Sequence, residues 1–130
     1  MVLYDSSVLI DYLDGVEAAV SYAEAHADER AVTIPLVRFE IYQGEVYKAG
    51  EADFDAVDEA LDWLVVVEES AALARDAAEL LEFVASRGSP LAARDAYIAG
   101  AAASLDERLV ASDSDFDTDA LGEKLVVDLI

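Results

Sequence analysis

At 130 residues, 55% of them hydrophobic, the chain has the size of one domain and enough apolar content for a core, which excludes disorder. It has no cysteine, which excludes disulfides, thiolate metal sites and thiol catalysis, and no apolar run near the ~20 residues that span a bilayer. Lys and Arg total 8 against 29 Asp and Glu, for a net charge of −21, and no basic segment precedes an apolar one at the N-terminus, so a cytoplasmic, membrane-free protein is expected.

In chain order, Val2 to Tyr4 reads as a short buried strand ending at Asp5. A helix follows through Val8, Leu9, Tyr12 and Leu13, broken at Gly15, and a second runs from about Val16 to Ala27. Ala31 to Ile34 is the second strand. Pro35 suits the first turn of the next helix, where it has no N–H to lose. That helix carries Leu36, Phe39 and Tyr42 and weakens near Gly44 or Gly50. Asp53 can cap a helix with Phe54, Val57, Leu61 and Leu64 at helical spacing, and Val65-Val66-Val67 reads as a third buried strand. Ser70 caps a long helix that buries Leu73, Ala77, Leu80, Leu81 and Val84 and ends before Gly88. Gly88-Ser89-Pro90 is a turn, Ala93 to Leu105 a helix, and Leu109 to Ala111 a fourth strand. Ser112 to Gly122 reads as a polar loop, and Leu125 to Leu129 as a fifth strand. Strands alternating with helices indicate an α/β fold with a parallel sheet covered on both faces.

Four acidic residues fall at junctions of these elements: Asp5 after the first strand, Glu40 one turn into the Pro35 helix, Asp95 in the first turn of an Ala-rich helix, and Asp113 after the fourth strand. Open parallel sheets bind ligands at the carboxyl ends of their strands, so a shared carboxylate pocket is expected there. Such a pocket suits a hard divalent cation, because Mg²⁺ and Mn²⁺ prefer oxygen ligands. Singly, each residue has an ordinary role. Asp95 would complement a helix dipole, Glu40 would be solvated, and Asp5 and Asp113 would sit in polar turns. Glu40 is the least ordinary, since Phe39 and Ile41 flank it and an unpaired buried charge is costly. The small residues after Asp95 let that helix lie close to a sheet. His26 is expected to be solvated near a helix end, Trp63 to pack the core, and Tyr4 and Tyr97 to be buried around the pocket wall.

The joint pattern resembles the PIN domain and, within it, the VapC type of toxin ribonuclease. The segments carrying the likeness are Tyr4-Asp5-Ser6-Ser7-Val8-Leu9-Ile10, Ile34-Pro35-Leu36-Val37-Arg38-Phe39-Glu40-Ile41-Tyr42-Gln43-Gly44, Asp95-Ala96-Tyr97-Ile98-Ala99-Gly100-Ala101 and Ser112-Asp113-Ser114-Asp115-Phe116, in family order and spanning nearly the whole chain. The resemblance implies a single PIN-like domain over residues 1–130, a three-layer α/β fold with a central parallel sheet of about five strands. It further implies Mg²⁺- or Mn²⁺-dependent endonucleolytic cleavage of RNA, a cognate antitoxin and a homodimer. Asp5, Glu40, Asp95 and Asp113 become the metal ligands and catalytic carboxylates, and Asp115 orients the nucleophile or rivals Asp113 as the fourth ligand. Ser7, Arg38, Arg94 and Ser112 become substrate contacts, with surface salt bridges the other reading of the two arginines. The family often has Thr or Ser two residues before the last site Asp; here that residue is Ala111, and Ser112 offers the hydroxyl instead.

Two other functions compete: a PIN-like RNA- or protein-binding module that no longer turns over, and a receiver-like signalling domain. The second lacks an acidic pair after the first strand and a lysine in a late-strand position. The charge itself admits a cationic ligand or life in molar salt, where a Debye length of about 3 Å keeps surface charge from reaching a partner. Its spread over predicted helix faces (Glu17, Glu24, Asp55, Asp58, Asp62, Glu79, Glu82) favours the halophilic origin.

Overall fold

A computed structural model describes residues 1–130. Strands β1 (Val2–Tyr4), β2 (Ala31–Thr33), β3 (Val65–Val66), β4 (Arg108–Ala111) and β5 (Val127–Leu129) form one parallel sheet in the order β3-β2-β1-β4-β5. Leu3 is the register centre, paired with Val32 on one side and Leu109 on the other. The three central strands are buried on both faces, which is why they read as unbroken apolar runs without alternation. Helices α1 (Ser6–Leu13), α2 (Glu17–Ala25), α3 (Pro35–Tyr47), α4 (Phe54–Ala60), α5 (Ala71–Ser86), α6 (Ala93–Ser104) and α7 (Asp119–Gly122) cover the sheet. The expected five-stranded parallel α/β architecture is therefore present.

The strand order fixes where a ligand can sit. From β1 the chain winds outward through β2 to β3, then returns to lay β4 on the opposite side of β1. The carboxyl ends of β1 and β4 thus flank the point where winding direction reverses, the usual ligand crevice of an open α/β sheet. Asp5 follows β1 and Asp113 follows β4.

Several expectations need correction. The strand at Val65 and Val66 is not buried; it lies at the sheet edge, and the two residues are 45% and 41% exposed. The fifth strand begins only at Val127, and the second ends at Thr33 because Ile34 is already the N-cap of α3. The segment after Ser112 is no plain loop. It holds a 3₁₀ turn at Ser114–Phe116 and then α7, capped by Thr118, with Phe116, Ala120 and Leu121 buried. His26 is half-buried, its ring stacked on Tyr22 at 4.0 Å between centroids. Trp63 does pack against the core, edge-on to Tyr4 and Tyr12 with both centroid distances 5.2 Å. Tyr4 is buried as expected but lines a cavity of about 230 Å³ with Tyr12, His26 and Trp63, to which none of the acidic junction residues contributes. Tyr97 is only half-buried and donates its hydroxyl hydrogen to Glu69 at 2.7 Å.

The close approach of α5 and α6 depends on one glycine. A Cβ at Gly100 would lie 2.3 Å from Ala77 Cα and 2.5 Å from Ala77 Cβ, and backbone cannot rotate aside. Gly100→Ala should therefore push α6 off α5. Overpacking costs about 1–3 kcal/mol, against the ~1 kcal/mol that alanine gains over glycine in a helix. A lower denaturation midpoint is the expected result, and an unchanged or higher one would show that the helices can separate freely.

Candidate metal centre

Asp5 is placed by the end of β1 and the start of α1. Its backbone N–H donates to the Val110 carbonyl at 3.0 Å, which ties it to β4, and its carboxylate caps α1 through the Ser7 N–H. The Ser7 hydroxyl donates to Asp5 Oδ2 at 2.6 Å and accepts the Ser112 N–H at 3.1 Å. Ser7 thus bridges the ends of β1 and β4 and holds Asp5 in one orientation. Ser112 takes part through its backbone. Asp5 is 1% exposed.

Asp95 lies in the first turn of α6 but caps nothing; the N-cap is Ala92, with no side-chain bond. Asp95 is 6% exposed, on a helix whose Gly100 packs directly against Ala77 of α5. Asp113 caps the 3₁₀ turn, its Oδ1 accepting the Asp115 N–H at 2.9 Å, and so presents a fixed carboxylate beside β4. Oxygens of Asp95, Asp113 and Asp115 all lie within 4.8 Å of one another. Asp95 is buried, Asp113 half-buried and Asp115 exposed, so the cluster runs from the interior to the solvent.

Glu40 projects from α3 toward the same place. Its Oε1 is buried without a hydrogen-bond partner, while Oε2 accepts from Arg94 Nε. Arg94 connects the remaining members. Nη1 donates to Asp95 Oδ1 at 2.5 Å, and Nη2 to Asp5 Oδ1 at 3.1 Å and to Ser6 Oγ at 2.5 Å. The structure therefore brings Asp5, Glu40, Asp95, Asp113 and Asp115 together, with Ser7, Ser112 and Arg94 around them. Arg38 is elsewhere: it pairs with Asp58 at 2.8 Å and with the Tyr42 hydroxyl at 3.2 Å. Sequence reasoning missed Ser6, a buried serine whose only signal was its place between Asp5 and Ser7, and it missed the central position of Arg94.

The electrostatics reflect crowding. Burial pushes the Asp95 carboxyl above the usual carboxylate range; Arg94 pulls it back, and the charges of Asp113 and Asp5 add to the rise. Burial works to lower the Arg94 guanidinium, but its bond to Glu40 and the charges of Asp5 and Glu40 outweigh this and hold it above its ordinary value. The donor set is all oxygen, negatively charged and graded in exposure, and Glu40 Oε1 adds an acceptor with no donor. Those properties fit a hard divalent cation such as Mg²⁺ or Mn²⁺.

The family model described as PIN domain matches residues 2–120. No curated protein matches the sequence significantly. Among solved structures, a chain of VapBC2 from Rickettsia felis, bound to a DNA fragment from its promoter, is similar with a TM-score of 0.82 at 16% identity, covering 99% of this chain and 98% of that one. A chain of DNA-bound VapBC from Salmonella typhimurium gives 0.80 at 17% identity, covering 98% and 96%. A toxin–antitoxin complex from Klebsiella pneumoniae contains a chain with a TM-score of 0.76 at 20% identity, again covering 98% and 96%. No helix of this chain is long and apolar enough to cross a membrane.

Proposed function

The chain belongs to the PIN domain family, and from that premise we propose that it is a Mg²⁺- or Mn²⁺-dependent endoribonuclease, the toxin of a toxin–antitoxin pair. One observation carries the reading: Asp95, Asp113 and Asp115 converge within 4.8 Å at the reversal point of a parallel sheet, beside buried Asp5 and the unpartnered oxygen of Glu40.

In this reading Asp5, Glu40, Asp95 and Asp113 hold the cation. When bound, it supplies Lewis-acid polarisation of a phosphoryl oxygen and activation of water near neutral pH. The protein's own groups do the rest. Ser7 keeps Asp5 oriented through its 2.6 Å bond, and hydrogen-bonded supports of this kind commonly set a ligand's geometry. Asp115, exposed at the rim, orients the attacking water and accepts its proton. The Ser112 hydroxyl and the guanidiniums of Arg38 and Arg94 are assigned to phosphate contacts, and Ser7 acts through Asp5; for Arg38 that requires it to leave Asp58.

The net charge of −21 bears on how RNA, itself a polyanion, can approach. At low ionic strength the surface repels it, while in molar salt the Debye length of about 3 Å limits the repulsion to contact. We assign the chain to a high-salt cytoplasm on this ground. The partners proposed are a cognate antitoxin and a second copy of the chain. An exposed apolar patch beside Glu40 supports a protein partner: Phe39, Val46, Tyr47 and Phe54 are each at least 45% exposed and line a groove of about 460 Å³.

Purified protein incubated with total RNA in molar KCl should cleave it with Mg²⁺ or Mn²⁺ and not with EDTA. An Asp95→Asn preparation made in parallel controls for a contaminating nuclease. Cleavage that survives chelation would overturn the metal mechanism, and no cleavage under any metal condition would favour a silent binding module.

A further inference from the structure

We propose that Arg94 is an internal counter-ion: it occupies the cation position of the metal-free protein and has to withdraw before a divalent cation binds. The inference rests on the metal-site reading above and concerns how that site is regulated.

Three carboxylates from separate elements meet this one guanidinium. Asp5 comes from the end of β1, Glu40 from α3 and Asp95 from α6, and Ser6 Oγ completes the set. Their side chains are 1%, 22% and 9% exposed respectively, so water cannot solvate them well. Burying carboxylates without a counter-charge is prohibitive, so a metal-free protein needs a cation here. Arg94 supplies one with planar, many-donor geometry that reaches all three at once.

Arg94 is nevertheless a partial substitute. One positive charge meets three carboxylates, and Asp113 and Asp115 stand close by. One mark of under-compensation remains: Glu40 Oε1 is buried with no donor. A small dication would neutralise more charge and use the acceptor that Arg94 leaves idle. The guanidinium cannot share the centre with it, because like charges in one low-dielectric site repel strongly.

Withdrawal is mechanically simple. Arg94 sits in the first turn of α6 with a side chain that is 33% exposed, so rotation about its own bonds carries the head to solvent with no backbone movement. Once outside, it lies at the mouth of the site, where a guanidinium matches a phosphate in bidentate fashion. The same residue thus closes the empty site and faces substrate in the loaded one. A closed state favoured 10:1 would weaken apparent metal affinity about 10-fold.

The test compares wild type, Arg94→Gln and Arg94→Lys by thermal melting and calorimetric titration with MgCl₂ and MnCl₂ at fixed KCl. Without metal, Arg94→Gln should melt below wild type, because its carboxylates have lost their counter-ion. Its half-saturating metal concentration should fall about 10-fold, and saturating metal should close the gap in melting. Arg94→Lys, with a compact charge that cannot bridge three carboxylates, should lie between. A second measurement keeps wild type intact: the Arg94 Nε–H resonance, assigned by its loss in Arg94→Lys, should leave its hydrogen-bonded position as Mg²⁺ saturates. Metal affinity equal to or weaker than wild type in Arg94→Gln, or an Nε–H that stays in place at saturating Mg²⁺, overturns the inference and leaves the metal site standing. If no variant and no wild type binds Mg²⁺ or Mn²⁺, the metal-site reading itself fails, and this inference with it.

Discussion

Asp95→Asn should lose RNA cleavage by about 100-fold or more at saturating Mg²⁺, with metal affinity falling in parallel, since the cation's placement contributes to the transition state. Asparagine keeps the shape and removes one charge, so the effect isolates the carboxylate. Asp95 is 6% exposed and shares its surroundings with Asp113, Asp115 and Arg94, so no water replaces the lost oxygen charge. Without metal the effect on stability should run the other way. Burial, with Asp113 and Asp5, holds the Asp95 pKa above its ordinary value although Arg94 opposes them. A carboxyl raised in the folded state binds its proton more tightly there than in the unfolded chain. Its stabilising contribution is therefore complete below the unfolded value of about 3.9 and is lost as pH rises through the elevated folded value. At neutral pH the wild type carries that loss and the asparagine variant does not. Metal-free Asp95→Asn should melt no lower than metal-free wild type at pH 7, and the difference should close below about pH 4. Were Asp95 only a helix-dipole partner, stability would drop by at most ~1 kcal/mol and activity would remain. An active variant whose melting still responds fully to Mg²⁺ would remove Asp95 from the site.

The acidic residues could be found in the sequence because their neighbours declare the junctions. Asp5 and Asp113 each follow an apolar run, which puts them at strand ends, whereas Asp95 and Glu40 lie in helices and join the set through the resemblance of the whole pattern. Which ends are adjacent is another matter. Arg94 meets Asp5 across 89 residues and Glu40 across 54. Those contacts exist only because β4 inserts beside β1 on the side away from β2, an order that apolar runs do not encode. Arg94 could therefore be named as a flanking cation but not as the centre of the site. The same limit explains Val65 and Val66: an edge strand and a central strand can share one composition, and only the sheet order exposes these two. The short helix α7 was hidden for a local reason. Thr118 is an ordinary N-cap and accepts from Leu121 N–H at 3.2 Å, but four aspartates between positions 113 and 119 make the segment read as solvated loop.

Substituting Asp113 and Asp115 separately should produce two different losses. Asp113→Asn is expected to weaken Mn²⁺ binding and to reduce cleavage by about 100-fold together, as removal of a metal ligand would. Asp115→Asn should leave Mn²⁺ affinity nearly intact and reduce turnover alone, by the ~10²-fold or more that a positioned general base contributes. The distinction follows from how each carboxylate is held. Asp113 is half-buried, and one of its oxygens is fixed by the Asp115 N–H at 2.9 Å, leaving the other available to a ligand. Its charge is among those that raise the Asp95 pKa, which couples the two carboxylates. Asp115 is exposed and carried by the 3₁₀ turn, so it meets solvent water first. Asparagine at 113 retains an oxygen that can cap the turn, and the variant should keep its fold, visible as an unchanged melting curve in EDTA. Calorimetric Mn²⁺ titrations and single-turnover cleavage on both variants decide the matter. If Asp115→Asn loses metal and Asp113→Asn does not, the two exchange roles: Asp115 becomes the fourth ligand, and Asp113 is left as the cap that positions it.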